Sequence, residues 1–177
     1  MNAALETKID VKELLDYQIF EGLQPKEVEH FVQKFQYHNC PENDIILQEG
    51  DPGNSLFLLL TGEVEVSQAL TMKVTTAEEP DTREKAITRL NGSMHPFFGE
   101  MSIFTDHDTR SATIRAVKKC SLAEITRDDF FAVIKEHPEF GIKVLSNIAR
   151  VLVSRLKKTN DDVMKSTTAL TLILEQH

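Results

Sequence analysis

The residues best suited to chemistry lie in one short segment, residues 98–113. Gly99 and Glu100 precede a predicted short helical turn, and Arg110 follows ten residues after the acid. A carboxylate accepts hydrogen bonds from hydroxyl groups, and a guanidinium fork matches the oxygens of a phosphate. The free N–H groups of a helical first turn add donors for an anion. Together these groups suit a compact ligand with a sugar hydroxyl at one end and a phosphate at the other.

Strands and tight turns are predicted on both sides of this segment. Residues 56–60 form a continuous apolar run of strand length, and residues 64–66 alternate beyond a turn at Gly62. Another alternating strand is predicted over residues 111–117. Gly, Asn, Asp and Pro separate these runs, as antiparallel hairpins require. Residues 68–83 interrupt this pattern; within them residues 75–82 are polar and have no apolar face, which predicts a mobile loop.

Helices are predicted at both ends of the chain. Residues 7–36 indicate two short helices separated by residues 22–25, with Pro25 in the first turn of the second. Thr126 is predicted to cap a helix that ends near residue 137, and a final helix is expected from about Pro138 to the C-terminus.

The final helix carries two interleaved heptad series, which favour a coiled-coil dimer over a single helix packed on its own domain. The series are Leu145, Leu152, Thr159, Ser166 and Ile173, and, four places along, Ala149, Leu156, Val163 and Leu170.

The segment 98–113 closely resembles the phosphate-binding cassette of the cyclic-nucleotide-binding domain family, which includes the catabolite activator protein and the regulatory subunits of cyclic-AMP-dependent kinase. The resemblance rests on Phe98-Gly99-Glu100-Met101, on Arg110-Ser111-Ala112, and on two upstream matches, a Gly-Asp turn in residues 45–57 and a strand-Gly-strand hairpin in residues 60–66. It covers roughly residues 15–160.

This resemblance implies a mainly β fold, a double-stranded β-helix (jelly roll or β-roll) with N-terminal helices and a long C-terminal helix. It divides the chain into N-terminal helices (1–36), the β-roll with its cassette and following helix (37–137), and a C-terminal lid or dimerisation helix (138–177).

The resemblance also implies a role for each site residue. Glu100 would accept from the ribose 2′-hydroxyl and Arg110 would pair with the cyclic phosphate, whereas surface roles for both remain the alternative. The further ligand-binding residues are the backbone of Gly99, Met101 and Ser102, the phosphate donors Ser111 and Ala112, and the apolar walls Val66 and Ile87.

The residues expected beside the base of the ligand do not decide which cyclic nucleotide is bound. In the catabolite activator protein a Thr-Ser pair on the final helix contacts adenine, and Arg155 and Leu156 align with that place. Leu156 has no hydrogen-bonding side chain, whereas Arg155 could stack on a base or donate to a carbonyl. The ligand is therefore cyclic AMP or cyclic GMP, with cyclic AMP favoured on the family alone.

Composition and motifs argue against several other classes of protein. The net charge is −8, and the one basic cluster, Arg150 to Lys158, indicates a solvated helical face and no direct DNA contact. Only about twenty residues follow Lys158, too few for a helix-turn-helix module, so a domain without DNA-binding module is expected. No stretch predicts a membrane span or a signal peptide, which favours the cytoplasm.

An enzyme is not expected. Metal-dependent barrels need clustered histidines, and the six histidines here are scattered; nor does the sequence contain a triphosphate-binding glycine loop. Two cysteines are too few for an iron–sulfur centre, and their separation of 80 residues predicts no disulfide framework, with Cys120 in a buried strand. We expect no metal and no cofactor beyond the nucleotide.

The sequence thus predicts a cyclic-nucleotide sensor, a homodimer through its C-terminal helix, that signals to an unknown downstream protein. The alternative is a domain that kept the fold but lost the ligand and serves as a dimerisation or scaffold module.

Overall fold

The structure, a computed structural model, describes residues 10–69, 84–105 and 109–175. Eight strands in the described residues form two four-stranded sheets in which all neighbours are antiparallel. One sheet has the order β1-β8-β3-β6 and the other β2-β7-β4-β5. The strands are β1 Gln36–Cys40, β2 Ile45–Leu47, β3 Ser55–Thr61, β4 Glu63–Ala69, β5 Glu84–Asn91, β6 Phe97–Phe98, β7 Thr113–Ala116 and β8 Cys120–Thr126.

The central strand β3 is buried on both of its faces. Phe57 and Leu59 belong to a core cluster that includes Val64 and Ile114 of the other sheet, so this cluster fills the space between the sheets. Leu56 and Leu58, on the opposite face, belong to a second cluster shared with the helices. The continuous apolar run in the sequence follows from this double burial. The expected mainly β roll with flanking helices is confirmed.

The helices surround this roll. They are α1 Val11–Leu14, a 3₁₀ turn Gln18–Phe20, α2 Pro25–Val32, a 3₁₀ turn Gly92–Met94, α3 Met101–Phe104, α4 Arg127–Glu136 and α5 Pro138–Glu175. The N-caps form as the sequence indicates. Pro25 lies in the first turn of α2, and the Thr126 side chain accepts a hydrogen bond from the Asp129 amide at the start of α4.

Two details of the predicted secondary structure were wrong. The first N-terminal helix is divided into α1 and a 3₁₀ turn, because Tyr17 between them is extended and its hydroxyl donates to Leu59 O at 2.7 Å. The strand β4 also includes Gln68 and Ala69, which the sequence placed in a loop. The remaining residues of that predicted loop, 70–83, lie outside the described residues.

The long helix α5 has two different environments. Near its start Phe140, Val144 and Ile148 are buried in the helical core cluster, and Asn147 Nδ2 donates to Ile19 O and Glu21 O. Leu145 and Leu152, which begin one heptad series, pack against that same core. Residues 156–175 are exposed throughout. Leu145 and Leu152 of the heptad series therefore serve the domain itself, whereas the exposed positions from Leu156 onward are available to a partner.

Every described helix, α5 included, is too short or too polar to cross a membrane.

Candidate functional site

The turn that joins β6 to α3 brings a backbone bend next to a buried arginine. Gly99 has a φ of 77°, a conformation that residues with a Cβ rarely adopt. A Cβ on Gly99 would also lie 2.9 Å from Arg110 Nη1 and from Ser55 O. Glycine is therefore required here both for the backbone conformation and for the close approach of the guanidinium.

Arg110 is buried, with only 8 % of its surface exposed. Its Nη1 donates to Ser55 O and to Ser102 Oγ, both at 2.8 Å, and its Nη2 donates to Ser55 Oγ at 2.9 Å. Its backbone is fixed by the Gly-Asp turn, since Gly50 N donates to Arg110 O and Arg110 N donates to Asp51 O. Burial lowers the pKa of the guanidinium, yet an arginine remains charged at neutral pH.

Glu100 is also buried, with 5 % exposure, so it is not a surface cap of the helical turn. Its Oε1 accepts a hydrogen bond from Arg155 Nη1 at 2.6 Å. The residue expected to bind the ribose is thus paired with a residue of α5.

Arg155 contacts three groups of the cassette region at once. Besides Glu100, its Nη2 donates to Phe97 O at 2.7 Å, and its Cζ lies 4.9 Å from the centroid of the Phe97 ring. The sequence placed Arg155 beside the base of a nucleotide. In the structure it lines the cavity and also binds the cassette, so it connects α5 to β6 and α3, and its contact with a base stays a prediction.

A cavity of about 370 Å³ lies between the cassette, the second sheet and α5. A volume of this size suits a small organic ligand. All ten site residues predicted from the sequence line it. They are Val66, Ile87, Gly99, Glu100, Met101, Ser102, Arg110, Ser111, Ala112 and Arg155. Ile87 is 56 % exposed, so it forms part of the cavity rim and is not an ordinary core residue.

Sequence reasoning missed several further lining residues. They are Leu47, Thr88, Leu90, Phe98, Thr109, Ile114, Lys158, Thr159 and Asp162. The last three could have been found, because positions three, four and seven residues after Arg155 share one face of a helix. Leu156, one position from Arg155, is 60 % exposed and does not line the cavity.

A separate hollow of about 430 Å³ lies on the other side of Arg110. Phe57 lines it, with its ring centroid 5.7 Å from Arg110 Cζ, and so do His38 and Glu124, whose Nε2 and Oε2 atoms lie 2.7 Å apart within hydrogen-bond distance. The guanidinium therefore forms part of the wall between two cavities. Within the ranges that the structure describes, no group of three or more His, Cys, Asp or Glu side chains is arranged to hold a metal ion.

This combination of fold and cavity defines a class of protein, the helix-flanked β-rolls with a small-ligand cavity beneath a C-terminal helix. A sequence profile described as "Cyclic nucleotide-binding domain" matches residues 37–137. The chain belongs to that family.

Two curated bacterial relatives have regulatory or receptor names. The chain is 28 % identical over 145 residues to the CRP-like cAMP-activated global transcriptional regulator of Mycobacterium tuberculosis, a match covering 82 % of this chain. It is 30 % identical over 142 residues to the cyclic AMP receptor protein of Thermus thermophilus, covering 80 % of this chain. The matched region spans 58 % of the length of each relative.

Solved structures support the same fold. A cyclic nucleotide-binding domain from Methylobacillus flagellatus superimposes with a TM-score of 0.75 at 27 % identity, covering 88 % of this chain and 83 % of that one. The catabolite activator protein of Thermus thermophilus superimposes with a TM-score of 0.69 at 29 % identity, covering 82 % of this chain and 61 % of that one.

Proposed function

We propose that this chain is a non-enzymatic sensor that binds a cyclic mononucleotide in the cavity beneath α5, with cyclic AMP preferred to cyclic GMP. The observation that carries this proposal is the pair of buried charged residues, Arg110 and Glu100, on one wall of a cavity of about 370 Å³. A cyclic nucleotide carries its single negative charge and its free ribose hydroxyl on the same side of one small bicyclic ring. A cation and a carboxylate on one wall match that arrangement.

In the proposed complex the phosphate lies between Arg110 and the backbone N–H groups of Ser111 and Ala112. The hydrogen bonds that Arg110 donates to Ser55 and Ser102 do not neutralise its guanidinium, because the acceptors are a carbonyl and two hydroxyl oxygens. The anionic phosphate would add a countercharge in direct contact with the guanidinium, with the amides after Glu100 as further donors.

The ribose 2′-hydroxyl is assigned to the carboxylate of Glu100. One oxygen of that carboxylate accepts from Arg155, and a carboxylate has about four acceptor positions in total. The hydroxyl can therefore bind while the ion pair persists, or it can compete with Arg155 for the same oxygen.

The base is assigned to the rim formed by Val66, Ile87 and the cavity-lining face of α5. Thr159 and Asp162 provide acceptors on that face for an exocyclic amino group. The relatives from Mycobacterium and Thermus are named for cyclic AMP, which supports adenine as the base.

The signal is proposed to leave the domain through α5 to a separate protein, without direct DNA binding. Arg155 supports this route because it connects the cassette directly to α5. The exposed later heptad residues, such as Val163 and Leu170, support a homodimer along that helix. We retain the division at residues 37 and 138, and a cytoplasmic location, as parts of the same proposal.

Titration calorimetry of the purified chain with cyclic AMP and cyclic GMP tests this function, after nucleotide that co-purifies has been removed. We expect micromolar binding of cyclic AMP, weaker binding of cyclic GMP, and a ten- to hundredfold or greater loss in Arg110→Ala, since a charge-assisted hydrogen bond contributes about 1.5–3 kcal/mol.

Arg115→Ala is the matched control. Arg115 lies on the adjacent strand β7 and donates to Asn43 O at 3.2 Å, and it does not line the cavity. Circular dichroism checks that each variant is folded. Absence of binding by the wild-type chain up to millimolar nucleotide would contradict the sensor and favour the ligand-free scaffold, for which sedimentation analysis would still show a dimer.

A further inference from the structure

The two cysteines of the chain, remote in sequence, face each other across one pair of strands. Cys40 ends β1, Cys120 begins β8, and the antiparallel register pairs them directly. Residues opposite each other in such a pair have Cα atoms about 4.5–5.5 Å apart. A disulfide bond needs a Cα separation of roughly 4.4–6.8 Å. Both cysteines are free thiols, so the backbone already holds an unlinked pair within bonding range.

The side chains of the pair project to the same face of the sheet. His38 and Glu124, which lie on this face of β1 and β8, are in contact at 2.7 Å. Cys40 follows His38 by two residues, and Cys120 precedes Glu124 by four, so the alternation of a strand places both sulfurs on the same face as the His38–Glu124 hydrogen bond. Both cysteines also pack in the core cluster between the sheets.

The two thiols differ in their access to solvent. Cys40 is half-buried and lines the hollow of about 430 Å³ beside the His38–Glu124 pair. Cys120 is completely buried, and its thiol donates to Lys118 O at 3.0 Å. A small oxidant can therefore reach Cys40 first, and the buried Cys120 is the thiol that reacts second.

We propose that Cys40 and Cys120 form a dithiol site that small oxidants convert into an intramolecular disulfide. With a hydroperoxide, the Cys40 thiolate attacks one peroxide oxygen, the O–O bond breaks, the other oxygen leaves as hydroxide or alkoxide and takes up a proton to become water or an alcohol, and Cys40 becomes a sulfenic acid. The Cys120 sulfur then attacks the Cys40 sulfur, the S–S bond forms, and water leaves. Two thiols are oxidised, one hydroperoxide is reduced, and a thiol reductant reverses the result.

Burial raises the pKa of both thiols, so little thiolate is present at neutral pH. The bridge should accordingly form more slowly than at an exposed cysteine with an unshifted pKa. Once formed, it closes a long loop, and the existing strand pairing means that the backbone need not move far. A crosslink of this kind restricts the unfolded chain, and we expect the melting temperature to rise by roughly 5–15 °C.

The test treats the full chain with hydrogen peroxide or diamide, blocks remaining thiols with N-ethylmaleimide, and maps the peptides without reduction. We expect a product without intermolecular crosslinks, lighter by two hydrogen atoms per chain, a peptide pair joined through residues 40 and 120, the higher melting temperature, and full reversal by dithiothreitol.

Cys40→Ser and Cys120→Ala are the control variants, and neither should give the linked peptides or the higher melting temperature. If Cys120→Ala does not fold, Cys40→Ser and the wild-type peptide map still decide the question. The proposal is overturned if oxidised wild-type protein contains Cys40 as sulfinic acid or in an intermolecular disulfide while Cys120 remains a thiol. It is overturned equally if both thiols remain reduced when the oxidation is followed to its end point with excess oxidant.

Discussion

Replacing Arg155 by methionine tests whether this one residue attaches the outer part of α5 to the domain. Methionine keeps an unbranched apolar stem that can still cover the Phe97 ring, and it removes the guanidinium. The change therefore deletes the hydrogen bonds to Glu100 and to Phe97 O while it preserves much of the apolar contact.

The expected loss in the free energy of unfolding follows from these contacts. Hydrogen bonds that involve a charged group contribute about 1.5–3 kcal/mol each, and Arg155 makes two of them. Its side chain is 40 % exposed, so solvent screening reduces both. The substitution also leaves the buried Glu100 carboxylate without its cation, which adds a penalty. We expect a total loss of about 2–4 kcal/mol.

Urea unfolding followed by circular dichroism measures this loss, and hydrogen exchange locates it. Arg150→Met is the matched control, because Arg150 is an exposed arginine of the same helix with one bond of 3.3 Å to Asn147. The control should change stability by less than about 0.5 kcal/mol. In Arg155→Met, amides from residue 152 onward should exchange faster than in the wild type. The reasoning is refuted if the two variants lose equal stability, or if Arg155→Met matches the wild type.

Three further substitutions test the site and the core. Gly99→Ala should lower the free energy of unfolding by roughly 1–3 kcal/mol and weaken nucleotide binding at least tenfold. The reason is that the new Cβ strains a left-handed backbone and displaces Arg110. Urea unfolding measures the loss of stability and calorimetry the loss of affinity. Ser102→Ala should cost about 1 kcal/mol and weaken binding severalfold by removing one acceptor of Arg110, and unchanged affinity would contradict this. Burial raises the pKa of Tyr17, so the unfolded state ionises first and stability falls as the pH rises above about 10. Tyr17→Phe should lose about 1–2 kcal/mol at neutral pH, because Leu59 O loses its donor, and show a smaller alkaline decline in stability measured by urea unfolding at stepped pH.

The cassette could be predicted from the sequence because its chemistry is local. Gly99, Glu100 and Arg110 lie within twelve residues, and the backbone conformation at Gly99 is one that glycine favours. The helix caps at Pro25 and Thr126 are local for the same reason, since a cap depends on residues within one turn.

Contacts between distant residues could not be predicted in this way. Glu100 and Arg155 are 55 residues apart, and Tyr17 is 42 residues from Leu59, whose carbonyl holds it in the extended conformation that divides the first helix. Such contacts depend on how helices and strands pack against each other, and residue spacing within a single helix or strand does not predict them.

The heptad periodicity of α5 likewise identifies an apolar face of the helix, but it does not predict which part of the protein, or which second chain, packs on that face. Leu145 and Leu152 continue into a regular heptad series, and yet both pack on the domain's own core. Whether a second chain covers the later positions stays a prediction.

Because α5 continues far beyond Arg155, a small rotation of the helix about this contact produces a large displacement of its far end. The described end of the helix, Glu175, is 20 residues beyond that contact, which corresponds to about 30 Å at 1.5 Å per residue. A tilt of α5 by about 10° around the Arg155 contact then moves Glu175 by about 5 Å, a distance close to the pitch of one helical turn. Under the proposed signalling route, a shift of the cassette too small to disturb the core would be magnified at the far end of α5, where a partner protein would meet it as a change of position.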